Sequence, residues 1–299
     1  MEEINNKKIS RGRKVCGIIF FIIFILSTLL QVGYVVILKR HNFEYITDYL
    51  PYLVNETIIL SLYISIFLLN NKKEKAIRIV ISTLAVIVTI ANVVLMINNI
   101  SHNKCVVEHS NDFSNTLVLK YNAETGKATI YKNVIGIFAR PKEQFTNTIV
   151  GKIKTQWLTN DACSITYKNS KDDICEYVYT CGDRGDGISY YYVASAIQGD
   201  WKMNVQNEDG KSIKANSKGI TINDGKKESI FAYDDCKQFG TISVVLYKNN
   251  TPKWIITLNQ DCTLDKKTDL VKEGGTISLC EVSMDKTANL DFVCTTPKN

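Results

Sequence analysis

Hydrophobic and polar positions change their rhythm once along the chain, near residue 100. Before that point apolar residues run on without alternation: Val15 to Leu38 holds no charge in 24 positions, and Ile79 to Ile97 none in 19. A bilayer core about 30 Å thick is crossed by roughly 20 helical residues, since every backbone polar group must be paired inside the segment. Both runs reach that length. Tyr49 to Leu69 is a weaker third, with Pro51 where a first helical turn tolerates it and Glu56 as its one ionisable group. The pattern predicts a transmembrane module over 15–100, with spans at about 15–38, 49–69 and 79–97. A re-entrant helix starting near Thr57 is the alternative for the middle segment.

From Ser101 onward, short alternating runs are separated by Asn, Asp, Gly and Lys clusters, the mark of antiparallel strands. Residues 101–115 read as a polar stalk and 116–299 as one mainly-β, sandwich-like antiparallel domain, with a split near Gly199 as the alternative. LVLKY-NAETGK-ATIY, within 116–131, predicts a hairpin whose Gly126 suits a left-handed turn position. TISVVLYK-NNTP-KWIITLN predicts another, with Asn249 to Pro252 as its loop, Tyr247 opposite Trp254 and Leu246 opposite Ile255. Further strands are expected near 146–157, 163–168, 174–180, 201–206, 219–223, 229–233, 276–283 and 289–294. Ile188 to Gln198 fits either a strand or a short helix.

Charge adds an orientation. Residues 1–100 carry 11 Lys/Arg against 6 Asp/Glu, and residues 101–299 carry 25 against 24, so five of the net +6 lie in the first hundred. A nucleic-acid binder would place its charge on the folded domain, so nucleic acid is not an expected partner. Nine basic residues lie before the first span or between the second and third, against Lys39 and Arg40 alone in the first loop. By the positive-inside rule the basic 1–14 segment is cytoplasmic and the C-terminal domain extracytoplasmic. The first apolar run exceeds a signal peptide's core of about 7 to 15 residues and lacks a small-x-small cleavage pattern, so it reads as a retained anchor. Cys16 precedes that run and reads as a plain thiol. Glu56, close to interfacial water, reads as a tolerated charge, and Asn55, Asn92 and Gln31 as helix-to-helix contacts.

Eight of the nine cysteines fall in the exported part, at 105, 163, 175, 181, 236, 262, 280 and 294. On the oxidising side of a membrane that reads as disulfides. If Asp285 to Asn289 form a loop, Met284 faces Leu290 and Cys280 faces Cys294, at a separation that a disulfide spans. A shorter loop about Asn169 would likewise pair Cys163 with Cys175. The spacings lack the close pairs of zinc sites, and no cofactor motif is found.

The remaining chemistry is sparse. A cysteine transpeptidase built on Cys181 and Arg184 would need a histidine, and His102 and His109 both fall in the expected stalk. Asp172/Asp173, Asp234/Asp235 and the Asp183-Arg184-Gly185-Asp186 loop are carboxylates in turn-like sequence, where Asp is common for its own local hydrogen bonds. Trp157, Trp201 and Trp254 read first as core. Tyr190, Tyr191 and Tyr192 are harder to hide, because on a strand they alternate between faces. With Asp183, Arg184 and Asp186 they form the expected recognition surface. The sequence thus points to a membrane-anchored extracytoplasmic recognition or sensing domain of the cell envelope, partnered by the bilayer and by an envelope or membrane protein. A tethered envelope hydrolase using exported carboxylates, and a structural subunit of a membrane complex, are the alternatives.

Overall fold

A computed structural model describes residues 10–70, 75–181, 192–203, 210–285 and 287–297. Three helices are long and apolar enough to cross a membrane: Arg11–His41, Leu50–Leu69 and Lys75–His102. The first comprises α1 (Arg11–Gly33), a π-helical stretch over Tyr34–Leu38 and a 3-10 turn over Lys39–His41. It ends at Asn42, whose φ of 57° is a left-handed conformation that Asn tolerates. α2 (Leu50–Leu69) carries Pro51 in its first turn, and α3 is Lys75–His102. Gly17 lets α1 and α2 approach closely, because a Cβ there would lie 2.7 Å from the Leu69 side chain.

Contacts divide the chain into two compact units. The first comprises residues 1–107 and 118–145, the helices with a five-stranded sheet. Its strands are β1 (Glu44–Tyr45), β2 (Asn103–His109), β3 (Thr116–Asn122), β4 (Ala128–Ile135) and β5 (Phe138–Gln144), in the order β1-β5-β4-β3-β2. α3 passes into β2 without an intervening residue, so 101–115 is not the expected stalk but a helix end, a strand and a tight loop. The β3–β4 hairpin has the expected span, pairing Val118 with Tyr131 and Tyr121 with Ala128. β5, FARPKEQ, has no regular alternation and no sequence signal; it pairs on both sides, with β1 and β4. Two small cores result: Phe43, Tyr45 and Phe138 with Tyr34 and Leu50, and Val118, Tyr131 and Ala139 with Ile46 and Cys105.

The second unit is residues 108–117 and 146–299. β6 (Val150–Thr159), β7 (Ala162–Lys168) and β8 (Ile174–Thr180) form a three-stranded sheet. The short helix α4 (Val193–Ala196) leads into β9 (Gly199–Met203), β10 (Lys211–Asn216), β11 (Gly219–Asp224), β12 (Glu228–Phe231), β13 (Cys236–Phe239), β14 (Ser243–Lys248), β15 (Thr251–Leu258), β16 (Thr276–Glu281) and β17 (Asn289–Pro297). These nine strands form one antiparallel sheet in the order β12-β11-β10-β9-β17-β16-β15-β14-β13. It is barrel-like: β12 comes round to β14, where Lys248 Nζ donates to the Ile230 carbonyl at 3.1 Å. Instead of a symmetrical two-layer sandwich, the small sheet packs by β8 against β13, β14 and β15 of the large one. The shared core includes Val178, Trp201, Ile213, Phe231, Val244 and Phe292. Trp201 is buried with its indole N–H donated to the Ile197 carbonyl at 2.8 Å.

Turn chemistry shifts three expected registers. β14 and β15 join through Asn249 and Asn250 alone, with φ of 52° and 61°, the doubly left-handed two-residue turn favoured by hairpins. Leu246 therefore faces Trp254 and Tyr247 faces Pro252, with a bulge between them, in place of the pairs expected from a four-residue loop. At the C-terminal hairpin Cys280 faces Asn289, and Cys294 faces Trp201 on β9, so Cys280 and Cys294 are not opposite one another. The strands stop sooner than expected because β6 staples the connection: Lys154 Nζ donates to the Ser283 carbonyl at 3.0 Å and Gln156 Nε2 to the Thr287 carbonyl at 2.8 Å. Cys163 faces Tyr179 and Cys175 faces Tyr167, because Asn169 Oδ1 accepts from the Lys171 and Asp173 amides and fixes a five-residue loop over 169–173. No disulfide is formed among the described residues, which include all nine cysteines.

Candidate functional site

Between β2 and β3 the chain turns over Ser110 to Asn115. Ser110 is buried; its amide donates to the Asn115 carbonyl and its hydroxyl to Asp112 Oδ1, at 2.9 and 2.6 Å. The same carboxylate oxygen accepts from the Ser114 amide at 3.1 Å and the Ser114 hydroxyl at 2.7 Å. Hydrogen bonds from the Ser110 and Ser114 side chains hold the Asp112 carboxyl below its usual range, so Asp112 stays an acceptor. This frame fixes Phe113 at φ 59° with the residue 78% exposed. A bulky side chain in left-handed backbone costs roughly 1–2 kcal/mol, and burial of the ring does not offset it here. Residues held in such conformations cluster at functional sites.

The loop is tied to the three-stranded sheet of its own unit. Asn115 Nδ2 donates to the Asn160 carbonyl in the β6–β7 turn at 2.9 Å, and the Tyr179 hydroxyl donates to the Thr116 carbonyl at 3.2 Å. The Cys181 amide donates to the Asp161 carbonyl, also at 2.9 Å, so the chain leaves β8 beside the turn that holds the Phe113 loop. The Trp157 ring meets Tyr179 edge-on, and its buried indole N–H has no acceptor among the described residues. His109 lies beside Phe113, ring centroids 5.9 Å apart, and contacts the Thr116 hydroxyl through Nδ1.

Of the residues expected to form a recognition surface, Asp183, Arg184, Asp186, Tyr190 and Tyr191 lie outside the described residues. Tyr192 is exposed and accepts the Ser195 and Ala196 amides at the start of α4. The carboxylates named as hydrolytic candidates sit in exposed turns: Asp172 pairs with Lys168 at 2.8 Å, and Asp234 and Asp235 lie on a 3-10 turn. Among the described residues no group of three or more His, Cys, Asp or Glu is placed to hold a metal ion. Burial pushes the Cys163 thiol well up, the Cys280 thiol up, and the Cys105 and Cys236 thiols to about 11, which disfavours the thiolate needed for nucleophilic chemistry.

Two polar centres, one partly and one fully buried, escaped sequence reasoning. On β3, Lys120 Nζ pairs with Asp48 at 2.8 Å and Glu44 at 3.7 Å, and lies 5.1 Å from the Tyr131 ring centre. On β8, Glu176 is buried and accepts the Ser164 and Thr166 hydroxyls, both at 2.7 Å; burial pushes its carboxyl up to about 7. In the helices, Glu56 accepts from Thr89 at 2.9 Å and Asn92 at 3.2 Å, and Asn92 also donates to the Tyr52 carbonyl at 2.9 Å, a helix-to-helix contact of the kind expected for Asn92. Gln31 accepts instead from Tyr45 on β1, at 2.7 Å. Comparison with protein-family models, with curated proteins and with solved structures gave no match to this chain.

Proposed function

We propose that this protein is a membrane-anchored recognition or sensing protein whose β-rich part lies outside the cytoplasm and binds an envelope or membrane-protein partner, with the Phe113 loop as a principal contact. The observation that carries the reading is the strained, fully framed loop that presents an exposed Phe113. A rigid aromatic anchor loses little conformational freedom on binding and buries a large apolar area, which is how a few residues come to dominate an interface. The nine-to-two basic asymmetry supports the orientation.

Replacing Phe113 with Gly relieves the backbone and removes the ring. The full-length variant in detergent is expected to bind cell-envelope material from the source organism about tenfold more weakly, about 1.4 kcal/mol, while remaining folded. Asp172→Asn and Asp173→Asn should bind as the parent does. Unchanged binding by Phe113→Gly would remove the loop from the interface; turnover of an envelope polymer, abolished by one Asp→Asn change, would favour the hydrolase.

A further inference from the structure

At the end of the helical pair opposite the α3–β2 junction, the last turns of α2 and first turns of α3 line a shallow cleft that is open to its surroundings. Ile66, Phe67 and Ile81 supply its apolar wall, and Tyr63, Asn70, Ser82 and Arg78 its polar groups. The Tyr63 and Ser82 hydroxyls lie 3.0 Å apart and close the inner end. The half-buried Arg78 guanidinium sits 5.6 Å from the Phe67 ring centre, and no carboxylate among the described residues pairs with it. A second guanidinium reaches the same end from α1: Arg13 Nη2 donates to the Phe67 carbonyl at 2.8 Å and the Asn70 carbonyl at 3.5 Å.

We propose that this cleft binds the phosphate headgroup of an anionic phospholipid. A 20-residue helix is about 30 Å long, so the terminal turn of α2 lies at headgroup depth when the helix spans a bilayer. There the guanidinium presents a planar fork that matches phosphate oxygens. The Tyr63 and Ser82 hydroxyls can complete its hydrogen bonding, and Ile66 and Ile81 offer an apolar wall along which an acyl chain can begin. Basic pockets between transmembrane helices at this depth are a recurrent mode of acidic-lipid recognition. Arg11 and Lys14, exposed nearby in sequence, add general attraction to an anionic surface. The site does not depend on the proposed partner or on which way the chain crosses the membrane.

The test uses the full-length protein in nanodiscs of phosphatidylcholine with and without phosphatidylglycerol, with native mass spectrometry counting the lipid that survives extraction. The parent should retain phosphatidylglycerol in preference to phosphatidylcholine. Arg78→Gln should retain about tenfold less, while Lys75→Gln, which alters an exposed charge outside the cleft, retains it as the parent does. Arg78→Lys keeps the charge, loses the fork and should show a smaller loss; it carries the test where Arg78→Gln does not fold. Inorganic phosphate in excess should not displace the lipid. Equal retention by the parent and both Arg78 variants, equal loss in Lys75→Gln, or displacement by free phosphate would each overturn the proposal.

Discussion

Lys120 and Glu176 are both withdrawn from water on the strands of their respective units, yet they are balanced by different means. Lys120, with its side chain 11% exposed, meets two carboxylates from the segment between α1 and α2, and Tyr131 donates its own hydroxyl to Glu44 at 2.7 Å. Glu176 is balanced chiefly by two neutral hydroxyls; Lys154, a cation that also favours its charged form, is occupied by the Ser283 carbonyl and the Thr287 hydroxyl. An ion pair offsets its desolvation by mutual attraction, whereas hydroxyl donors offset only part of it, and the rest appears as a carboxyl that holds its proton up to about pH 7. One centre fastens the loop after α1 to the first sheet; the other makes the second unit responsive to pH.

The sharpest test of that difference is the pH dependence of stability. Folding raises the Glu176 carboxyl from 4.5 to about 7, so below pH 4.5 both states are protonated and nothing is lost. Between about 4.5 and 7 the unfolded chain releases its proton while the folded one keeps it, and about 3 kcal/mol of stability drains away as pH rises. Glu176→Gln should abolish this slope and leave the variant about 3 kcal/mol more stable than the parent at pH 8, measured by denaturant unfolding in detergent at several pH values. The opposite slope, or none in the parent, would show that Glu176 ionises freely.

Lys120→Met should lower stability by about 2 kcal/mol, less than the 3–5 kcal/mol typical of a fully buried pair because Glu44 is half exposed. The loss should vary little between pH 6 and 8, in contrast to the Glu176 variant. A neutral result would mean that the segment after α1 is held by its pairing with β5 and by its aromatic packing, in which Tyr34, Tyr45 and Phe138 lie 4.5 to 5.8 Å apart. The smallest expected effect is at the Phe113 loop: Phe113→Gly should raise stability by up to about 1 kcal/mol while weakening binding. Loss of both would make Phe113 a structural residue.

The helices and most strands were legible because they follow composition over windows of ten or more residues. What was hidden depended on single polar atoms. β5 shows no alternation, since Arg140, Pro141, Lys142 and Glu143 lie exposed on a strand whose pairing is set by its neighbours. The Asn249-Asn250 turn was readable in principle, as two residues that tolerate left-handed backbone, but a four-residue loop kept the same alternation of apolar residues on either side. The Cys280–Cys294 register failed because Lys154 and Gln156, more than 120 positions away, decide where β16 and β17 stop. The Phe113 loop looked like stalk, yet Ser110, Asp112 and Ser114 around one phenylalanine is the pattern by which an acceptor freezes a turn. Glu176 in ICEYVYT gave no warning beyond a charge inside an otherwise apolar strand.

The claim that the Phe113 loop faces the outside and engages a partner there is tested most directly by Asn111→Cys, at an exposed position of the loop that keeps the Phe113 ring, labelled with a membrane-impermeant maleimide, the modified peptide being located by mass spectrometry. The account predicts that intact cells label residue 111 before lysis, and more slowly than the purified full-length protein because the partner covers the loop. Labelling only after lysis would place the loop in the cytoplasm, and equal rates in cells and in pure protein would show that nothing binds it; either result would contradict the account.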